Sequence, residues 1–371
     1  MKILWFTWKD CKNPAAGGAE FVNEEIAERL VEAGHEVIII TAGFTGSLKT
    51  EMINGYKVIR LGNRWTVYWL AYKYYKKHLA GWADLVIDEV NTIPFFCKFY
   101  VKEKNIILCY QLCSKIWFYQ LFFPLSLIGY LLEPLYLSLL NDRYVMTESE
   151  STKNDMQKYG FKKEKIFIFN IGIQIRPVKD LNEVKKFNSP TILILGCLRS
   201  MKRPLHIIKA FAVAQKKIAD LKLIIAGDAS SRYGKKILRL IKQDKYKDGV
   251  SYEGKVSDER KIELMQNCHL ICVTSVKEGW GIIVTEANSQ GTPAIVYNVD
   301  GLRDAVKKNI TGIICEKNSP QNLADKIVSL FANNDKYDNL RSKAWQDSKI
   351  YSYDNSYLQF FNNLKNILSQ L

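Results

Sequence analysis

The sequence carries no GxGxxG fingerprint after its first apolar run, which argues against a dinucleotide-dependent dehydrogenase. It has no block of five consecutive basic residues, so a dedicated nucleic-acid arm is not expected. Its eight cysteines follow no disulfide-scaffold pattern. Cys109/Cys113 and Cys268/Cys272 share an x3 spacing, but neither has a second pair or a histidine cluster nearby. Buried free thiols are therefore expected there, and a zinc site is not. The opening MKILWFTWK has too short an apolar run before Lys9 for a signal core, and it reads as a first buried strand. Solenoid-type repeats are absent. Long uncharged runs are scarce. One lies between Lys115 and Glu133, and it barely reaches the ~17 residues a spanning helix needs. Gln120, Pro124, Ser126 and the Glu133-Pro134 pair weaken that reading, so an interfacial or partner-facing helical pair is expected.

What is present fits a globular chain: 371 residues, 47% hydrophobic and 25% charged. That length predicts two domains. The net charge of +15 points to an anionic partner. Strand candidates are KILWFT, EVIIIT, YKVIRL, ADLVIDE, NIILCY and RYVMTE. A helix is expected from the GGAE loop (Gly17 to Glu20) to about Ala33, with Phe21, Ile26, Leu30 and Val31 on one face and Gly34 ending it. The second half repeats the theme with PTILILG, LKLIIAG, LICVTS and PAIVYN as strands. PLHIIKAFAVAQKKI, ERKIELMQNC and IIVTEANSQG are the helices between them. This alternation predicts doubly wound parallel sheets. The polar stretch 176–189 reads as the linker.

In such sheets ligands bind at the carboxyl ends of the strands. Three glycine-bearing loops fall there: GGAE, GCLRSMKR and SVKEGWG. Glycine lets the backbone approach a ligand, and a following helix start offers free N–H groups to a phosphate. Arg199, Lys202 and Arg203 read either as solvated surface cations or as a diphosphate clamp. Glu278 lies in the third loop and Glu286 eight residues on. At helical rise the two are ~12 Å apart along one face, so one carboxylate can meet a sugar while the other meets a ribose. No carboxylate pair near these loops has metal-ligand spacing, and no metal or cofactor is expected.

The run EGWGIIVTE (Glu278 to Glu286), followed by ANSQGTPAIVYNVDGLRDAV, resembles the Glu-x7-Glu region of retaining glycosyltransferases of family 4. YEGKVSDERKIELMQNCHLICVTS is similar to the stretch preceding it, LGCLRSMKRPLHIIKAF to the phosphate loop, and GGAE to the N-terminal glycine loop. The matches keep the family's order and are densest from Thr191 to Cys315. The resemblance implies an α/β GT-B fold: two Rossmann-like domains, 1–175 and 190–350, an interdomain cleft, and a C-terminal helix (about 352–371) returning to the first domain. It also implies a retaining, metal-independent transfer of a sugar from a nucleotide-diphosphate sugar. Glu278 would touch the donor sugar and Glu286 the ribose. Amides of Gly279, Trp280, Gly281 and Ile282 would meet sugar and diphosphate, and Gly196 would lie in the phosphate loop. Lys202 would bind the diphosphate, with Arg199 as a second cation, and Gly18 would approach from the opposite domain. Lys255 and Val256 would border the base.

Two positions depart from the family. Cys197 stands where an arginine is usual, which leaves the role of Arg199 open. Tyr110-Gln111 stands where a histidine is usual on the acceptor side, although a retaining front-face mechanism needs no base there. In RWTVYWLAYKYYKKHLAGW, helical spacing lines up Trp65, Trp69, Tyr72 and Leu79, with Lys73 and Lys77 beside them and Lys76 able to snorkel. This is either a core-packing helix or a face for anionic lipid. A cytoplasmic enzyme is expected, peripheral on the inner face of the membrane, with a glycan or lipid-linked acceptor and no nucleic-acid partner. Two alternatives stay open: a catalytically weak membrane-surface or nucleic-acid-binding module, and a sugar-nucleotide epimerase of the same fold.

Overall fold

The first strand, β1 (Lys2–Phe6), is KILWF, and every residue but Lys2 is buried. A strand covered on both faces needs such a continuous apolar run, because parallel sheets carry helices on each side. In the computed structural model, which describes residues 1–371 except 244, 245 and 247, β1 lies inside an eight-stranded sheet. Its companions are β2 (Glu36–Thr41), β3 (Thr50–Ile53), β4 (Tyr56–Arg60), β5 (Leu85–Glu89), β6 (Lys104–Leu108), β7 (Val145–Thr147) and β8 (Ile166–Ile168). The order is β3-β4-β2-β1-β5-β6-β7-β8, and only the β3–β4 pair is antiparallel. That hairpin turns at Asn54-Gly55, both with positive φ, as a type I′ turn requires.

The chain divides into two units, Met1–Gly172 with Ser352–Leu371, and Ile173–Tyr351. The second holds a fully parallel six-stranded sheet. Its strands are β9 (Thr191–Leu195), β10 (Lys222–Ala226), β11 (Val250–Gly254), β12 (Leu270–Val273), β13 (Ala294–Val296) and β14 (Gly312–Ile314), in the order β11-β10-β9-β12-β13-β14. The stretch 176–189, read from sequence as a linker, is pinned to this unit. Val178 N–H donates to Ser289 O, Phe187 N–H to Asn267 O, and the buried ammonium of Lys186 to Gln266 O, Cys268 O and Thr292 Oγ1.

Helix α1 (Gly18–Glu32) follows β1 and closes through Gly34 at φ +83°. Its buried face is Val22, Ile26, Ala27 and Leu30, whereas Phe21, expected inside, is exposed. Next come α2 (Val67–Tyr74), α3 (Leu125–Leu140) and α4 (Glu150–Lys158). The second unit carries α5 (Pro204–Ala214), α6 (Arg232–Ile241), α7 (Asp258–Asn267), α8 (Ile282–Ser289), α9 (Pro320–Phe331) and α10 (Asn334–Ser348). The last helix, α11 (Tyr353–Gln370), belongs to the first unit. Its Phe360 stacks on Trp5 at 6.1 Å and meets Phe169 edge-on at 5.3 Å, and Asn363 donates to Ile168 O.

The predicted stripe through Trp65, Trp69, Tyr72 and Leu79 is not one face. The last turn, Tyr75–Leu79, is a π-helix closed by Ala80 N–H to Tyr75 O. The extra residue in that turn rotates Leu79 into the core beside Val67, Ala71 and Tyr75, while Trp65 and Trp69 stay exposed.

Candidate active site

In the second sheet the chain runs from β9 outward through β10 to β11, then jumps back to β12 on the other side of β9. The topological switch point therefore lies between β9 and β12, and a crevice at the carboxyl ends of those strands is where such folds take ligands. The loops leaving these two strands are 196–203 and 274–281, the second and third glycine loops of the sequence.

The two loops are stitched together. Thr274 Oγ1 donates to Lys202 O and Arg203 O, and Val276 N–H donates to Met201 O. Across the seam Lys202 Nζ lies 2.5 Å from Glu278 Oε1, which also accepts from Ser275 Oγ. Glu278 keeps about 15% of its side-chain exposure and Lys202 about 40%, so the pair is reachable from solvent. Such a half-exposed pair contributes little to stability. Its geometric effect is that it holds a cation and a carboxylate together at the switch point.

Two glycines outside the expected set make these loop conformations possible. Gly227 has φ +150°, and a Cβ there would lie 2.0 Å from Gly196 O. Gly301 has φ +78°, and its Cβ would lie 2.3 Å from Glu278 O and 2.5 Å from its carbonyl carbon. Each loop thus rests directly on another stretch of backbone. Gly196 itself has φ +117°, with its N–H donating to Ala226 O.

Glu278 to Gly281 is not helical. Helix α8 starts only at Ile282, with Gly281 at φ +102° as its N-cap. The helical spacing used for Glu278 and Glu286 therefore holds only for the last stretch, Ile282 to Glu286. Glu286 is 5% exposed and accepts from Lys261 Nζ at 2.8 Å. Burial raises its carboxyl above the usual range, and the Lys261 ammonium opposes that shift. Trp280 is buried, its indole N–H on Thr285 Oγ1. Gly279 and Ile282 are half-buried.

Arg199 is exposed in the β9 loop. Lys255, also exposed, and Val256 follow β11, two strands from β9. Both cations act on Asp228, whose carboxyl is lowered mainly by bonds from Ser230. The structure thus brings Gly196, Arg199, Lys202, Lys255, Val256, Glu278, Gly279, Trp280, Gly281, Ile282 and Glu286 to the carboxyl edge of one sheet. Sequence reasoning missed Lys261, Ser275, Thr274, Gly227 and Gly301. Ser275 and Thr274 close the strand-like LICVTS run; the other three gave no local signal.

The remaining expected residues lie in the first unit. Gly18 is the exposed first residue of α1, and Glu20 reaches back to accept from Gly17 N–H at 2.6 Å. Tyr110 is buried after β6, with its hydroxyl donating to Asn23 Oδ1 at 2.6 Å. Asn23 Nδ2 in turn donates to Glu89 Oε2 at 2.7 Å, as does Trp5 Nε1 at 3.2 Å. Full burial, reinforced by the charge of Glu20, pushes the Glu89 carboxyl up to about 8. Gln111 is half-buried, and its buried Oε1 has no hydrogen-bond partner among the described residues. Cys109, Cys113, Cys268 and Cys272 are all buried and outside any disulfide. Among the described residues no group of three or more His, Cys, Asp or Glu side chains is placed to hold a metal ion.

Comparison with known proteins agrees with this layout. Residues 16–176 match the Glycosyltransferase Family 4 model, and residues 176–347 match Glycosyl transferases group 1. The N-acetyl-alpha-D-glucosaminyl L-malate synthase of Bacillus anthracis is 24% identical over 381 residues, covering 95% of this chain and 97% of that one. The sucrose-phosphate synthase of Thermosynechococcus elongatus has a TM-score of 0.79 at 17% identity, each chain covered in full. Anabaena HepE in complex with UDP-glucose has a TM-score of 0.73 at 17% identity, with 99% of this chain and 100% of that one covered. A Glycosyltransferase Family 4 domain and a glycosyl transferases group 1 domain thus follow one another along this chain, which is a glycosyltransferase of the GT-B type.

Proposed function

We propose that the chain is a retaining, metal-independent glycosyltransferase that takes its sugar from a nucleotide-diphosphate sugar. The observation that carries this reading is the Lys202–Glu278 pair held at the switch point of the second sheet. Glu278 faces the donor sugar hydroxyls, Glu286 the ribose, and the main chain at Lys255 and Val256 the base. Lys202, with Arg199 and the amides from Gly279 to Ile282, neutralises the diphosphate as the bond to the anomeric carbon breaks. Preorganised donors of this sort stabilise charge that develops in the transition state, so no divalent ion is needed. The acceptor oxygen bonds to the anomeric carbon on the face the diphosphate leaves, and its proton passes to the departing diphosphate. That HepE was crystallised with UDP-glucose supports a nucleotide-sugar donor.

The acceptor belongs to the first unit, where the buried Tyr110 and the unpaired Gln111 Oε1 stand in place of a histidine. A glycan or lipid-linked acceptor at a membrane surface fits the charge of +15 and the exposed Lys73, Lys76 and Lys77. Eight cysteines outside any disulfide fit the cytoplasm. The test is NMR of the glycoside formed from an α-linked nucleotide sugar, with and without chelator. An α-anomer at undiminished rate in EDTA is expected. A β-anomer overturns retention, and loss of activity restored by Mg²⁺ or Mn²⁺ overturns metal independence.

A further inference from the structure

Helix α3 is apolar on both faces. Its inward residues are Ser126, Glu133, Tyr136, Leu137 and Leu140, and the Glu133 carboxylate accepts from Cys113 N–H, Ser114 N–H and Trp117 Nε1. Gly129 lies against the Trp117 ring, where a Cβ would come within 2.5 Å. Its outward residues are aliphatic: Leu127, Ile128, Leu131, Leu132, Leu135 and Leu139 are all exposed, Leu131 at 58% and Leu135 at 62%. Just before the helix, Phe122 and Phe123 are more than 70% exposed. A water-facing helix normally carries polar residues on its outer face. An apolar face of this extent marks a contact surface.

The surroundings identify what covers it. Lys98 Nζ donates to Leu139 O, pairs with Asp142 at 2.8 Å and lies 5.7 Å from the ring of exposed Phe99. Further along, Tyr100 meets Tyr72 at 5.1 Å, and Tyr72 stacks on Trp69. Lys73 lies 4.7 Å over Trp69, and Arg64 lies 4.5 Å over exposed Trp65. Aromatic rings paired with cations beside an aliphatic ridge match the headgroup level of a bilayer beside its acyl region. From Gly62 to Arg143 there are nine Lys and Arg residues. Of the six acids there, Asp88, Glu89 and Glu133 are buried and Asp142 is paired with Lys98. A second copy of this chain would set like charges against each other across a two-fold contact. No helix among the described residues is long and apolar enough to cross a membrane, and α3 at 16 residues is ~24 Å long, short of the ~30 Å hydrocarbon core.

We infer that α3, with the Phe122-Phe123 turn before it, is laid in the plane of an anionic bilayer with its outward leucines in the acyl boundary and the Arg64 and Lys73 pairs at the headgroups. This rests on the reading above that the acceptor is met at a membrane surface, and it assigns the attachment to insertion as well as to charge. Salt screens surface charge but not apolar burial, so attachment persists where an electrostatic contact alone would fail.

The test is flotation of the full chain with phosphatidylcholine vesicles containing a quarter phosphatidylglycerol, at 0.1 M and 1 M NaCl. Three proteins are compared: wild type, L131E/L135E and L131Q/L135Q. The changed positions are already exposed, so all three should melt alike. Wild type is expected to float at both salt concentrations. Both variants should bind about tenfold more weakly or worse, the uncharged one excluding simple repulsion by anionic lipid. Their melting shift with a nucleoside diphosphate should equal that of wild type. If it vanishes in all three, the donor reading fails while the membrane result stands. Variants that float like wild type overturn the inference. So does a wild type that never floats but forms a dimer that L131E/L135E dissolves.

Discussion

Lys202 shows how one side chain joins two parts of the fold. Its carbonyl accepts from Thr274 and its ammonium meets Glu278, so backbone and side chain tie the same pair of loops. Lys202→Ala keeps the backbone bond and removes the charge. Turnover should fall by roughly 10²-fold or more, as with loss of one preorganised charge contact, while the melting temperature stays close to wild type. Turnover equal to wild type would remove Lys202 from the donor site. Glu89 makes a different claim, about pH. Its carboxyl titrates near 8 in the folded chain and in the ordinary range, near 4.5, when unfolded. Between those values the folded state holds the extra proton, so Glu89 makes the protein less stable as pH rises through that window. Glu89→Gln should reduce the fall in melting temperature between pH 5 and pH 8.5. An unchanged slope would show that Glu89 is already ionised in the fold. The positions of Lys202 and Glu278 were readable because strand, glycine and helix adjoin in the chain. Glu89 was not, because ADLVIDE reads as a buried strand and its partners Trp5, Asn23 and Glu20 lie more than 65 residues away.

Among the elements, strands announced themselves best. EVIIIT and PTILILG each hold a continuous apolar run, Val37–Ile40 and Ile192–Leu195, because helices cover both faces of a parallel sheet. Of the edge strands, β3 carries the mixed residues TEMI and β8 is only the three residues IFI, and neither gave such a signal. Loops were legible by their glycines but not by what the glycines touch. Gly227 and Gly301 meet backbone 31 and 23 residues upstream, a proximity that the sheet order creates and no spacing encodes. Gly301→Ala puts a Cβ against Glu278 O at a left-handed φ. The backbone must shift, at about 1–3 kcal/mol, and the Glu278 loop is what shifts. Calorimetry with a nucleotide sugar should show binding weakened at least as much as stability, and binding at wild-type strength would show that the loop tolerates the displacement. The π-turn at Tyr75–Leu79 was equally invisible. One added residue moved Leu79 inside and left the tryptophans outside, while a uniform 3.6 period placed them together.

For the whole molecule, the two-unit GT-B architecture and the return of the last helix to the first unit follow what the family resemblance implied. The exposed apolar face of α3 was half-visible, since the uncharged run stood out but its orientation did not. Leucines fall on both faces of this helix, so no period marks which of them meet solvent, and the buried Glu133, Tyr136, Leu137 and Leu140 fix the inner face. Sugar transfer as proposed requires the second unit to bind a nucleotide diphosphate through the loops of β9 and β12. The most direct measurement is the melting temperature of wild type and the Lys202→Ala/Glu286→Ala double variant across a panel of nucleotide sugars. A ligand at a hundred times its Kd stabilises by about 2.7 kcal/mol. At about 2–4 °C per kcal/mol, at least one nucleotide sugar should raise the wild-type melting temperature by roughly 5–10 °C and leave the double variant unmoved. A panel that shifts neither protein, or both equally, would contradict the account.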